Sequence, residues 1–199
     1  MPRVTRKESM ELTRARLLDA AEEVFAERGF AGASLDQIAD RAGYTRGAVY
    51  ANYDGKPGLF LAIMDRWLTA EQADFDEMAA GDDAAGSLIR RLGELEGNRF
   101  ADRQRWLLLQ EFRLYAVRNP ELLPRLAEHD RRSVAWYTEA IEKTSAKAGT
   151  PIPGGAEKLA RAILALEHGV AGLAHVDDEL DQHEFVSLLA TISRVLGRP

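Results

Sequence analysis

Apolar side chains recur every three or four positions along most of the chain, which predicts an almost entirely helical protein. In the first such segment, Leu17, Ala21, Val24 and Phe25 form a single stripe. Glycine and proline fall mainly between the periodic segments, and no stretch shows the sustained alternation of a strand. We therefore predict an all-α fold of about nine helices, at residues 9–28, 34–42, 45–52, 57–79, 84–101, 103–118, 120–147, 156–174 and 181–196.

Two short helices near the amino terminus have the signals of a helix-turn-helix. Ser34 and Gln37 form a capping box, which opens the first of them. Gly43 suits the tight turn that follows, and Thr45 is a second N-cap. This spacing is typical of a helix-turn-helix. The predicted shared core of the motif consists of Val24, Phe25, Ile38 and Val49, with the small Ala39 allowing close helix approach.

The second short helix carries side chains suited to DNA. Arg46 can donate two parallel hydrogen bonds to guanine, and Gly47 lets the backbone approach the groove. Thr45, Tyr50 and Asn52 can bind phosphates, as can Lys56 at the start of the next helix. We expect Tyr53 to pack within the domain. The predicted DNA-binding residues are Ser34, Thr45, Arg46, Gly47, Ala48, Tyr50, Asn52 and Lys56.

The stretch from Arg16 to Phe60 resembles the DNA-binding domain of TetR-family regulators. The similar segments are RLLDAA at 16–21, FAERGF at 25–30, SLDQIA at 34–39, AGYTRGAVY at 42–50, NY at 52–53, Lys56, and LF at 59–60. Two positions depart from the family pattern, which often has histidine where Asn52 stands and an acidic residue where Pro57 stands. The resemblance implies a homodimeric repressor, released from a palindromic operator when its helical carboxyl-terminal domain binds a small effector.

We predict two domains on this basis. Residues 1–56 form a helix-turn-helix domain with a basic N-terminal arm, and residues 57–199 form an all-helical ligand-binding and dimerisation domain. The basic side chains of the arm outnumber the acidic Glu8 and Glu11; they are Arg3, Arg6, Lys7, Arg14 and Arg16. An alternative is an all-α protein-interaction module without specific DNA binding.

Two apolar stripes near the carboxyl terminus could form the dimer interface. Their residues step by three and four positions, as in helices that pack pairwise. The predicted interface residues are Leu159, Ile163, Leu166, Val170, Leu173, Phe185, Leu189 and Ile192. The alternative is that both stripes belong to the core of a single chain.

Aromatic and polar residues of the middle helices could line the effector pocket. The candidates are Trp67, Trp106, Gln110, Tyr115, Trp136 and His168. Ordinary core packing is the alternative for each of them. The identity of the effector does not follow from these residues.

Composition narrows the remaining function classes. The 199 residues carry a net charge of −6 and no cysteine, which excludes disulfides, thiolate catalysis and cysteine-based zinc sites. His168 and His175 are separated by about 10 Å along a helix and cannot share one metal ion. We find no catalytic motif and expect no enzyme activity, metal or cofactor. We also expect no membrane partner and a cytoplasmic location, because no apolar run approaches the ~20 residues of a membrane span.

Overall fold

The structure of this protein is a computed structural model that describes residues 5–79, 102–149, 151–152 and 154–177. The regular elements within these residues are helices, which confirms the predicted all-α fold. They are α1 (Arg6–Gly32), α2 (Leu35–Ala42), α3 (Arg46–Asn52), α4 (Gly55–Ala79), α5 (Arg103–Arg118), a 3-10 turn (Pro120–Leu122), α6 (Leu123–Ala148) and α7 (Ala156–Ala174). The helices predicted at 84–101 and 181–196 lie outside the described residues.

The caps predicted for the two short helices are present. Ser34 Oγ accepts a hydrogen bond from the Gln37 amide at 3.3 Å, and Gln37 Oε1 accepts one from the Ser34 amide at 3.0 Å. Gly43 has φ 72° and ends α2 in the left-handed region that favours glycine. Thr45 Oγ1 accepts from the Ala48 amide at 3.3 Å and opens α3.

The first helix is longer than predicted at both ends. Thr5 and Glu8 form a capping box at its start, a signal that the sequence prediction did not use. Gly29, the predicted stop, interrupts the helix with φ 71° and ψ 168°, and one more helical turn follows through Gly32. The carboxylate of Glu111 accepts hydrogen bonds from the Phe30 and Ala31 amides, at 2.6 and 3.4 Å. This contact satisfies amide donors that the interruption leaves without intrahelical partners.

The described chain divides into two compact units. The first contains the residues up to Trp67 together with Leu107–Leu126, and the second contains the remainder. Helices α4, α5 and α6 therefore contribute residues to both units. The predicted functional division between residues 56 and 57 stays a prediction. No helix in the described ranges combines the length and apolar character needed to cross a membrane.

The first unit has the core that the helix-turn-helix prediction required. Val24, Phe25, Ile38, Ala39 and Val49 are all buried in it. The same cluster continues into α4 and α5 through aromatic rings. The rings of Phe60 and Phe112 stack with centroids 4.7 Å apart, and Phe25 meets Phe60 edge-on at 5.4 Å. The second half of α5 therefore belongs to the same core as the helix-turn-helix.

The core of the second unit contains residues that were predicted to form the dimer interface. Leu159, Ile163 and Val170 of α7 are buried within one chain, in a cluster that includes Tyr137 and Ile141 of α6. These three residues therefore pack inside the protomer, which corrects their assignment to the dimer interface. The sequence pattern could not separate the two cases, because an intramolecular helix and a partner helix demand the same apolar spacing. Phe185, Leu189 and Ile192 lie outside the described residues.

Replacing Gly29 tests the interruption in α1. A β-carbon at Gly29 would lie 2.9 Å from Glu111 Oε2, and the positive φ disfavours any L side chain. We expect Gly29→Ala to lower the free energy of unfolding by about 1–3 kcal/mol, since the strain and the lost Glu111 contact act together. Urea unfolding followed by circular dichroism measures this change.

Gly32→Ala is the matched control in the same turn. The nearest atom to a β-carbon there is Arg28 Cβ at 3.7 Å, an ordinary contact. This variant should be neutral or more stable by less than about 1 kcal/mol, because alanine restricts the unfolded chain. Equal losses in the two variants would contradict the role assigned to Gly29 and Glu111.

Candidate nucleic-acid interface

One side of helix α3 packs against the core, and the opposite side, which we call its outer side, is exposed to solvent. Val49 is fully buried, and the Tyr53 amide donates to the Val49 carbonyl at 2.8 Å. Arg46, Gly47 and Tyr50 are exposed. Helix α3 therefore offers solvent a polar surface, with a hydrophobic anchor behind it.

Two further predicted residues of α3 have local hydrogen bonds. Asn52 is half-buried, and its Nδ2 donates to the Ala48 carbonyl at 2.8 Å. Ala48 is half-buried as well. A phosphate could accept a hydrogen bond only from Asn52 Nδ2, which already donates one of its two N–H groups to Ala48. A phosphate contact by Asn52 stays a prediction.

Arg14 of α1 holds the carboxyl end of α3. Its Nη1 donates to the Asn52 carbonyl at 2.5 Å, and its guanidinium carbon lies 4.6 Å from the centroid of the Tyr53 ring. The Tyr53 hydroxyl in turn donates to the Arg14 carbonyl at 2.8 Å, and its ring is buried. These contacts confirm the packing role predicted for Tyr53. No local sequence signal indicates this role of Arg14, because its partner Asn52 lies 38 positions away.

Arg46 has two side-chain partners on different helices. Its Nη1 donates to Asp36 Oδ2 of α2 at 3.2 Å, and its Nη2 donates to the Tyr50 hydroxyl at 3.3 Å. The pKa of Arg46 is raised above its ordinary value. The hydrogen bond to Tyr50 is the larger cause, and the negative charge of Asp36 is the next. Arg46 is therefore a fixed positive charge on the exposed side of α3. Asp36 is a member of this site that the sequence pattern did not indicate.

The fold itself does not require glycine at position 47. A β-carbon there would lie 3.6 Å from Thr45 Oγ1, which is ordinary van der Waals contact. The backbone of Gly47 has none of the positive φ values found at Gly29 and Gly43. The missing side chain therefore leaves open space on the exposed side of α3.

Ser34 and Lys56 both have structural partners. The Ser34 oxygen accepts the α2 capping bond, which leaves its O–H free to donate. Lys56 Nζ donates to the Phe30, Ala33 and Ala31 carbonyls at 2.7, 3.0 and 3.3 Å. Burial lowers the pKa of Lys56, and the nearby Glu111 charge opposes that shift. The three donors of the ammonium thus stabilise the end of α1, and a phosphate contact by Lys56 stays a prediction.

Three of the predicted pocket residues belong to the first unit. Trp67 donates its indole N–H to the Glu22 carboxylate, and the Tyr115 ring lies 5.0 Å from that of Phe30. Gln110 Nε2 is buried and makes no hydrogen bond. The buried Nε2 of Gln110 is therefore a donor that a ligand in this unit could satisfy.

The other three predicted pocket residues belong to the second unit. Trp136 packs edge-on against Phe75 at 5.6 Å, and His168 is half-buried. The ring centroids of Trp106 and His175 lie 5.2 Å apart. Trp106 Nε1 and His175 Nε2 are both buried and make no hydrogen bond. Burial and the charge of Arg103 lower the pKa of His175, which favours its neutral form. His175 is a pocket candidate that the sequence pattern did not indicate.

The structural role of Lys56 can be tested without DNA. Lys56→Met leaves three backbone carbonyls without their charged donor, so we expect the free energy of unfolding to fall by about 1–3 kcal/mol. Lys7→Met is the control, because the Lys7 side chain is 82% exposed and pairs with the exposed Glu11. If Lys56→Met and Lys7→Met were equally stable, the role assigned to Lys56 at the end of α1 would be wrong.

Comparison with known proteins matches this site to a family. Residues 17–63 match the model of bacterial regulatory proteins, tetR family. The chain is 50% identical over 64 residues to the HTH-type transcriptional regulator SrpR of Pseudomonas putida, a match that covers 32% of the chain and 30% of SrpR. It is 24% identical over 185 residues to the HTH-type transcriptional regulator UidR of Escherichia coli K12, covering 92% of the chain and 93% of UidR.

The fold is similar along nearly the whole chain. The chain aligns with the structure of Salmonella enterica GusR at a TM-score of 0.71 and 24% identity. The alignment covers 98% of this chain and 98% of GusR. Both sequence relatives are named as transcriptional regulators rather than as enzymes. The matched segment 17–63 contains α2, α3 and the core residues behind them. The segment of this chain that holds the candidate interface, residues 17–63, belongs to the tetR family of bacterial regulatory proteins.

Proposed function

We propose that this protein is a homodimeric DNA-binding transcriptional regulator. Each α3 enters the major groove of one half of a palindromic operator, with half-sites about one helical turn (34–36 Å) or a multiple apart. The protein acts as a repressor, and a small-molecule effector releases it. The observation that carries this proposal is the exposed side of α3, where Arg46 and Tyr50 flank a glycine that the fold does not need.

The character of that surface suits a DNA groove. Arg46 can donate to guanine O6 and N7, and the Thr45 and Tyr50 hydroxyls can bind phosphates. A helix that lies in the groove must bring part of its backbone close to the bases, and Gly47 allows that approach. Protein interfaces also favour tyrosine and arginine, so the gap at Gly47, rather than the Arg46 and Tyr50 side chains, is the feature that favours DNA.

The basic residues near the start of α1 also favour DNA binding. The whole chain has a net charge of −6, but Arg6, Lys7 and Arg16 are exposed on α1. Charges beyond about 10 Å from a phosphate are strongly screened at 0.1 M salt. Basic residues close to a bound phosphate therefore matter more for phosphate binding than the net charge of the whole chain.

A palindromic operator requires two copies of the chain. Leu173 of α7 is 60% exposed and Leu166 is half-buried, so both remain available to a partner. The interface that we propose uses these two residues with Phe185, Leu189 and Ile192. The buried residues of α7 support it from within the protomer by fixing α7 against α6.

The second unit offers polar atoms for an effector. Buried donors without partners are rare in folded proteins, and a bound acceptor satisfies them. Trp106 Nε1 is such a donor, and the buried His175 Nε2 donates or accepts according to its tautomer. The effector that we propose therefore carries an acceptor for the indole N–H on an otherwise apolar body. An effector that prefers one conformation of the regulator changes operator affinity by a coupling free energy of about 1–3 kcal/mol.

The alternative is an all-α protein-interaction module whose helix-turn-helix does not bind DNA. Under this alternative, changes on the outer side of α3 leave no DNA affinity to lose. A single variant that prevents α3 from entering the groove, without disturbing the fold, therefore distinguishes the two functions.

Gly47→Leu is that variant. The exposed position accepts a side chain, so we expect the thermal stability to equal or exceed that of wild type. Because leucine fills the gap on α3, we expect sequence-specific DNA binding to disappear. Selection against a pool of random duplexes at physiological salt, with thermal melting in parallel, measures both effects. Wild type should enrich one palindrome.

Arg46→Ala is the second variant, with Arg161→Ala as its matched control. Arg161 is an exposed helical arginine that pairs with Glu157 on α7, outside the candidate interface. Arg46→Ala should lose the preference at one base position in each half-site of the enriched palindrome, and Arg161→Ala should retain it at every position. The proposal would be wrong if folded wild-type protein enriched no sequence, or if Gly47→Leu bound the same site with unchanged affinity.

A further inference from the structure

The guanidinium of Arg46 is held in one orientation on the exposed side of α3. Asp36 Oδ2 accepts from Nη1 at 3.2 Å, and the Tyr50 hydroxyl accepts from Nη2 at 3.3 Å. The guanidinium carbon also lies 5.7 Å from the centroid of the Tyr50 ring. The partners stand on two helices, so the arginine is fixed relative to both α2 and α3.

These contacts do little for the stability of the fold. The Arg46 and Asp36 side chains are 54% and 63% exposed, and ion pairs this accessible to water contribute little to folding. Their consequence is orientation. An arginine held before it meets DNA has less conformational freedom to lose on binding, and its planar group already has a defined direction.

The restrained arginine keeps enough donors to read a base. A guanidinium has five N–H groups, and Asp36 and Tyr50 engage two of them. Three remain, and a guanine requires two, for O6 and N7. The pair with Asp36 is therefore compatible with base contact.

We propose that Asp36 is a positioning residue that determines specificity at the base contacted by Arg46. This inference rests on the proposed function. The Asp36 carboxylate fixes the direction of the guanidinium, which restricts the bases that can satisfy it. The same carboxylate repels phosphates and offsets the charge of Arg46, so it weakens binding to DNA that lacks the correct base.

A simpler role for Asp36 predicts a different outcome. Asp36 lies in the first turn of α2, where a carboxylate stabilises the helix dipole. If this were its whole role, Asp36→Ala would lower the melting temperature and leave base preference unchanged. Asp40 is the matched control, because it is an exposed carboxylate on the same helix and its removal changes the net charge equally.

The experiment compares base preference among five forms of the full chain: wild type, Asp36→Ala, Asp40→Ala, Arg46→Ala, and the Asp36→Ala/Arg46→Ala double variant. Each is selected against random duplexes at physiological salt, and thermal melting checks its fold. We expect Asp36→Ala to bind non-specific duplex more tightly and to lose about tenfold discrimination at one base position per half-site. Asp40→Ala should keep that discrimination, and Asp36→Ala should change nothing further in the Arg46→Ala background.

The outcomes separate this inference from the function on which it rests. Wild type that enriches no sequence overturns both. Wild type that enriches a site, with Asp36→Ala showing unchanged base discrimination, overturns the role of Asp36 alone. A loss that persists in the Arg46→Ala background also overturns it, because Asp36 would then act independently of Arg46. Asp36→Asn keeps an acceptor oxygen without the charge, and it should retain part of the discrimination if Asp36→Ala fails to fold.

Discussion

The last turn of α1 depends on two opposite charges, and the first compact unit is built around that turn. Glu111 accepts from amides at its start, and Lys56 donates to carbonyls at its end. Between them the Phe30 ring meets those of Phe25, Phe60, Phe112 and Tyr115, with centroids 5.0–5.6 Å apart. One residue thus joins α1, α4 and α5 through its backbone and its side chain together.

The position of α3 follows from this arrangement. Once α1 is fixed, Arg14 and Tyr53 tie it to the carboxyl end of α3, and Val49 anchors α3 in the shared core. The outer side of α3 has no part in these contacts. Its residues are therefore free to serve a partner, which is the physical reason that a rigid scaffold can present different recognition residues without losing its fold.

The sequence was informative where the determinants are local. The Ser34 capping box and the Gly43 turn each need only a few neighbouring residues, and the structure confirms both. The contact between Phe30 and Glu111 joins residues 81 positions apart, and no periodicity announces it. The pair between Arg46 and Asp36 was missed for a related reason, since it depends on how α2 and α3 cross. The α7 stripe indicated burial correctly but could not reveal that the covering helix is α6 of the same chain.

The central proposal is that α3 reads bases from the major groove. Methylation interference on the selected operator tests this most directly, because methylated guanine N7 lies in the major groove and loses its acceptor. The account predicts that methylation blocks wild-type binding at symmetric guanines, and that Arg46→Ala becomes insensitive at one guanine in each half-site. Binding that tolerates methylation at every guanine of the site, or an identical pattern in both proteins, would contradict it.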